Sequence, residues 1–463
     1  MKRYSSIAVA LLLVLSMLVA CGGGGGGPAA TPAPTSAPDS PTQTTPADPV
    51  IPADPSDDPV EIRAAWWGDT GRHELYGSII DVFTSNFPHV TVVQEPVGWG
   101  DYWERLTVQV AGGNAPDFFG MHPQFVADYA PRGVLMPLQP YVDAGIIDLS
   151  GWEESVINSG RIDGTLLMLS MGITFSSTFI NVGLYEELGI SVPDFAWNWD
   201  DLKTIGLQVR DAFDARGERN NWVYADGSGA FQLFRQWVRH NGRELYTPNG
   251  DIGFTVGDAE GWFTVWKELR DLNLIPDAAT TAEFHNATLE DSLFSRQRVL
   301  GVSVPVNQFN LYNNTFPDKK LSIIRNPVTP GGAPGELVEG AHFAVFGNTT
   351  PEKAVAAAQL MNSWLNTAES LALFGLDQGV PGNLALSSAY MDNLTPAQRL
   401  NVEFSDAISA LPMAPAIYPP AGAGEINSLF ELKAEEVRFD MKTPAVAAQE
   451  LFDEATAIRA AAN

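Results

Sequence analysis

Cysteine is almost missing from this chain of 463 residues: Cys21 is the only one. No disulfide can form within the chain, and no cluster of thiolates can hold a metal. Histidine is also scarce, with six, and His73, His89, His122, His240, His285 and His342 include no pair at metal-ligand spacing. Positive charge is short as well: 27 Lys and Arg stand against 55 Asp and Glu, a formal net charge of -28. Such a balance argues against nucleic acid and anionic lipid headgroups as partners, and it suits a neutral or cationic solute. A phosphate-cradling loop with lysine, a calcium loop of EF-hand type and a nucleophile elbow are all missing, and Gly227-Ser228-Gly229 reads as a turn. No metal and no cofactor are therefore expected. A glycosidase needs only two carboxylates, and nothing in the sequence marks such a pair.

What is present begins with an export signal. Lys2 and Arg3 precede an apolar stretch from Ile7 to Ala20, interrupted by Ser16. That length suits a signal segment and is short for a membrane-spanning helix. The stretch ends in Leu18-Val19-Ala20-Cys21, which resembles the lipobox of bacterial lipoproteins. The resemblance implies cleavage after residue 20 and a lipid on Cys21, carrying acyl chains such as palmitate; the alternative is an uncleaved signal anchor. Residues 21–60 read as a tether: a glycine run from Gly22 to Gly27, then a Pro-, Ala-, Thr- and Ser-rich segment with little apolar surface to order it. Fully extended, it would reach on the order of 100 Å.

The remaining ~400 residues suffice for two lobes of ordinary domain size. Glu61 to Trp67 reads as a first strand, ended by Gly68-Asp69, and Gly71 to Phe87 shows helical spacing. His89 to Glu95 alternates as a second strand, Asp101 to Ala111 is helical, and Asp117 to Met121 is a third strand. This alternation predicts a largely parallel sheet with ligands bound outside the carboxyl ends of its strands. Twelve tryptophans are available, and indole faces suit pyranose stacking. Trp237, Trp262, Trp266 and Trp364 fall within helical patterns and are assigned to the core.

Trp66-Trp67-Gly68, Gly98-Trp99-Gly100-Asp101-Tyr102 and Gln109 to Asp117, ending in Asn114-Ala115-Pro116-Asp117, resemble family 1 extracellular solute-binding proteins. The likeness continues through Tyr129, Gly133 and Leu138, then Asn181 to Ile190 with Pro193 and Trp199, and Gly379-Val380-Pro381. It departs where Ser295-Arg296-Gln297 replaces a usual Gly-Lys and where Gln378 replaces a common basic residue. The resemblance implies an α/β, two-lobed periplasmic-binding-protein-like fold of type II, each lobe a mixed sheet flanked by helices, with the ligand cleft between lobes. One lobe would hold residues 61–172 plus 342–391 and the other 173–341 plus 392–463. It further implies a monomeric, non-enzymatic, extracytoplasmic receptor that captures a sugar or oligosaccharide and delivers it to ABC transporter permease subunits.

Candidate ligand-binding residues are those expected on loops facing the cleft. Trp67 and Asp69 end the first strand, with core packing and helix capping as their alternatives. Trp99 follows the second strand, and His122 and Gln124 follow the third. Trp222 is a candidate platform in the second lobe, Asn307 and Gln308 follow the strand Val299 to Val304, and Glu339 and His342 flank a crossing. Tyr418 and Glu425 belong to a Pro- and Gly-rich loop. Two other readings stay open: a surface-anchored glycoside-active enzyme, and a receptor for a peptide, polyamine or glycerol phosphodiester. The last would want Arg or Lys in the cleft, and the candidate loops are poor in both.

Overall fold

The computed structural model describes residue 51 and residues 58–462, except 286, 288, 290, 317, 319 and 413–416. The signal segment, Cys21 and nearly all of the tether lie outside the described residues. No helix among the described residues is long and apolar enough to cross a membrane.

The first strands and helices follow the sequence pattern closely. Strand β1 (Val60–Trp67) leads into helix α1 (Thr70–Asn86), strand β2 (Val90–Val97), helix α2 (Trp99–Ala111) and strand β3 (Phe118–Met121). Asp69 starts α1 by accepting a hydrogen bond from the Arg72 amide at 2.9 Å. Three short strands follow, β4 (Arg161–Ile162), β5 (Thr165–Leu166) and β6 (Leu169–Ser170). The second lobe is built on β7 (Ser176–Asn181), β8 (Trp222–Tyr224), β9 (Val299–Pro305) and β10 (Leu321–Ile324), and the chain then returns to add β11 (His342–Val345) to the first sheet.

The first sheet has the order β2-β1-β3-β11-β6 and the second β10-β7-β9-β8. β1 pairs parallel with β2 and β3, whereas β11 pairs antiparallel with β3 and β6, so the sheet is mixed. In the second sheet β8 is parallel to β9, and β7 is antiparallel to both its neighbours. One core draws on residues between Ile62 and Met171 and between Ala341 and Phe374. Two others draw on residues between Phe175 and Ala455. Trp364, Trp262 and Trp266 are buried, as helical periodicity requires, and Trp237 is half-buried beside Trp262.

Between the lobes three chain segments lie side by side. Thr174 and Glu339 exchange backbone hydrogen bonds of 3.2 and 2.8 Å, and Ile173 and Val380 exchange bonds of 2.7 and 2.9 Å. The segments approach so closely that a Cβ on Gly379 would stand 2.2 Å from the Ile173 carbonyl oxygen, and one on Gly340 would stand 2.7 Å from that of Gly172. Both glycines also hold positive φ, 109° and 138°, which L side chains rarely adopt. The glycine of the Gly379-Val380-Pro381 motif thus has a backbone reason to be there.

Candidate ligand-binding cleft

The carboxyl end of β1 delivers Trp67 to the edge of the first sheet. Its indole lies over Gly120 of β3, where a Cβ would come within 2.8 Å of the ring. Helix α2 begins at Trp99, after the N-cap Gly98, so Trp99 and Trp103 stand four apart on one helical face. Their ring centroids are 5.3 Å apart, and Trp67 meets Trp99 at 5.1 Å and Tyr102 at 5.1 Å, both edge-on. His122 adds an edge 5.4 Å from Trp99. Within this aromatic group Trp67 is 8% exposed and Trp99 is 43% exposed, so Trp99 offers an open indole face while Trp67 supports it.

These rings form one wall of a cavity of about 300 Å³. Trp67, Arg72, Trp99 and His122 come from the first lobe, and Pro305, Asn307 and Gln308 follow β9 of the second. The floor is the crossing region, with Thr174, Glu339 and Gln378. Its polar groups are tied in place. Arg72 grips the Asp377 carboxylate through two nitrogens at 2.9 and 3.3 Å, Tyr76 donates to the same carboxylate at 3.1 Å, and Gln378 donates to the Tyr76 oxygen at 3.1 Å. Thr174 donates to the Asn307 side-chain oxygen and accepts from the Asn307 amide, each at 3.3 Å.

Burial moves two cavity groups, His122 and Glu339, away from their ordinary ranges. Burial lowers His122 to about 4, so its ring is neutral near pH 7, and its Nδ1 accepts from the Gln124 amide at 3.3 Å. Burial raises Glu339 to about 7, only partly opposed by the Arg235 charge. Among the described residues no group of three His, Cys, Asp or Glu could hold a metal ion.

The cavity therefore gathers Trp67, Trp99, His122, Asn307, Gln308 and Glu339 of the sequence-derived candidates. The others lie elsewhere. Trp222 is buried, donates to Asn273 at 2.9 Å and carries the Arg298 guanidinium over its ring. It pairs with Val299, at the opposite end of β9 from Asn307, so it could reach the cleft only from the wrong end of its strand. His342 is buried at the start of β11, 3.1 Å from both Ser159 Oγ and the Gly340 carbonyl, and burial holds it at about 4. Asp69 is spent on the cap of α1, and Glu425 is exposed in the first turn of the helix Ala423–Arg438. The Tyr418 hydroxyl donates to the Ser159 carbonyl, a link between the lobes. Gln124 lines a separate cavity of about 240 Å³ with Phe231, Arg235, Tyr246 and Asn427.

Three polar side chains of the lining, Arg72, Thr174 and Gln378, were not among the candidates. Gln378 carried a signal, as the polar replacement of a usual basic residue. Arg72 brings a basic side chain to the cleft from α1, although the candidate loops are poor in Arg and Lys.

A mixed α/β molecule of two lobes with an aromatic and polar cavity between them has the architecture of a solute-binding protein. The bacterial extracellular solute-binding protein model matches residues 71–370, and the chain belongs to that family, whose place of work is outside the cytoplasm. A putative binding protein from Brucella abortus is 22% identical over 289 residues, 60% of this chain and 66% of that protein. The chain is also similar to a periplasmic oligogalacturonide-binding protein from Yersinia enterocolitica, solved with saturated digalacturonic acid. That match has a TM-score of 0.76 and 20% identity, covering 87% of this chain and 99% of the other. An ABC substrate-binding protein from Listeria monocytogenes, solved with cycloalternan, has a TM-score of 0.72 and 18% identity, covering 86% and 99%.

Proposed function

We propose that this protein is a receptor that captures a sugar or oligosaccharide in the cavity between its lobes and passes it to the permease of an ABC transporter, without covalent chemistry. The observation that carries this reading is Trp99: a partly exposed indole on an aromatic base, sharing one cavity with the amides of Asn307, Gln308 and Gln378. An open aromatic face takes the apolar side of a pyranose, and planar polar groups take its hydroxyls. The saccharides held by the Yersinia and Listeria neighbours support the same cargo class. In this reading the lobes divide at 172/173, 341/342 and near 391, and they close on the ligand about the paired segments at Thr174, Glu339 and Val380.

A thermal-shift panel of mono- and oligosaccharides, with polyamines and peptides alongside, tests the cargo. A sugar at a hundred times its Kd should add about 2.7 kcal/mol to stability. A panel in which no sugar shifts the melting temperature while an amine or peptide does would refute it, and release of a cleaved product would point to an enzyme. The receptor is further proposed to be held at the outer face of the membrane by a lipid on Cys21; Cys21→Ser should then appear in the soluble fraction, and continued membrane retention would rule the anchor out.

A further inference from the structure

We propose that Glu339 makes the cleft a charge filter, so that the carbohydrate taken is uncharged and the corresponding uronic acid is rejected. The inference rests on the sugar-receptor reading above and names the substrate class within it.

The backbone of Glu339 is fixed on the Thr174 segment by two hydrogen bonds, so the residue cannot easily leave the cavity it lines. Its carboxyl makes no hydrogen bond or ion pair with another described side chain, and among the described residues it is the only acidic group in the cavity lining. The cations nearby are already committed. Arg72, from α1, is the one Arg or Lys of the lining among the described residues, and both of its bonding nitrogens face Asp377. Arg235, from the helix Phe231–His240, is held by Glu244 at 2.8 and 3.0 Å and by the Ile417 carbonyl at 2.7 Å. His122, after β3, is held neutral by burial, as is His342 behind it. A carboxylate entering this space would face Glu339, and the guanidinium of Arg72 there already has its charge paired with Asp377. A hydroxyl would find an acceptor there.

Like charges a few ångströms apart in a partly desolvated site cost enough to change affinity by about tenfold or more. The filter also has a pH dependence, because Glu339 titrates near neutrality while a uronic acid stays ionised. Protonating Glu339 removes the repulsion, so discrimination should be strong at pH 8 and weak at pH 5.5.

The experiment is calorimetric titration of the full chain with pairs differing only in oxidation at C6: galactobiose with digalacturonic acid, and cellobiose with cellobiouronic acid. Wild type and Glu339→Gln are compared at pH 8 and pH 5.5. The expected result is a neutral sugar bound at least about tenfold more tightly than its acid by the wild type at pH 8. The gap should shrink at pH 5.5 and be small at both pH values in Glu339→Gln. A wild type that binds the acid as well as its neutral partner overturns the filter while leaving a sugar receptor standing. A gap that persists unchanged at pH 5.5 and in the variant overturns the role of Glu339. If no member of either pair binds while an amine or peptide does, the sugar reading itself fails and the filter with it. The pH arm uses wild type alone, so the test survives a variant that does not fold.

Discussion

Glu339 and His122 both line the cleft, and burial moves them in opposite senses with opposite consequences for stability. Glu339 ionises at about 7 in the fold against an ordinary 4.5. Between those values the folded chain keeps a proton that the unfolded chain has released, so stability falls as pH rises through this window and stays low above it. The full effect is about 3 kcal/mol or less, since the residue is partly solvated. His122 is neutral down to about 4 in the fold against 6.5 ordinarily, so its burial costs stability as pH falls from 6.5 towards 4. Ligand-free Glu339→Gln should accordingly be more stable than wild type at pH 8, by about 1–3 kcal/mol, and nearly equal to it at pH 4.5. Urea unfolding at the two pH values checks this. A variant no more stable than wild type at pH 8 would show that the carboxyl is not held in a desolvated place. Residues of this kind trade folding stability for a feature of the site.

At the scale of elements, the sequence pattern and the fold agree where local periodicity decides and part where distant partners do. β1, α1, β2 and β3 fall within a residue or two of the expected limits because apolar spacing and turn residues define them. α2 begins at Trp99, not Asp101 as expected, and that turn of helix sets the exposed indole beside Trp103. The Trp222 platform failed because residue type alone does not tell which end of a strand a side chain occupies; the parallel register of β8 on β9 does. His342 differs for another reason: it lies opposite Met121 at the cleft end of the sheet, but its ring is buried in the fold between Ser159 Oγ and the Gly340 carbonyl. Arg72 could not be found from its neighbours, because the partner that fixes it, Asp377, is 305 residues away. Gly340 and Gly379 likewise look ordinary in sequence and acquire their meaning only where the three crossing segments meet.

At the scale of the whole molecule, a chain of net charge -28 has few cations to spare. Those nearest the cleft, Arg72 and Arg235, are bound to carboxylates, so the cavity presents aromatic faces and neutral amides around one titratable acid. The cavity draws its lining from both lobes and from the crossing between them, and a ligand favours a closed state only to the extent that it contacts both lobes. On the proposed reading the solute binds at the indole of Trp99 and the polar groups around this cavity. The most direct measurement of this is the calorimetric Kd of the best sugar of the panel for wild type, Trp99→Ala and Trp222→Ala. Trp99 is substantially exposed, so its removal should leave folding intact and weaken binding by about tenfold or more. Trp222→Ala should lower the melting temperature through the lost core packing and leave Kd within about twofold. Unchanged affinity in Trp99→Ala, or a loss of binding confined to Trp222→Ala, would contradict the account.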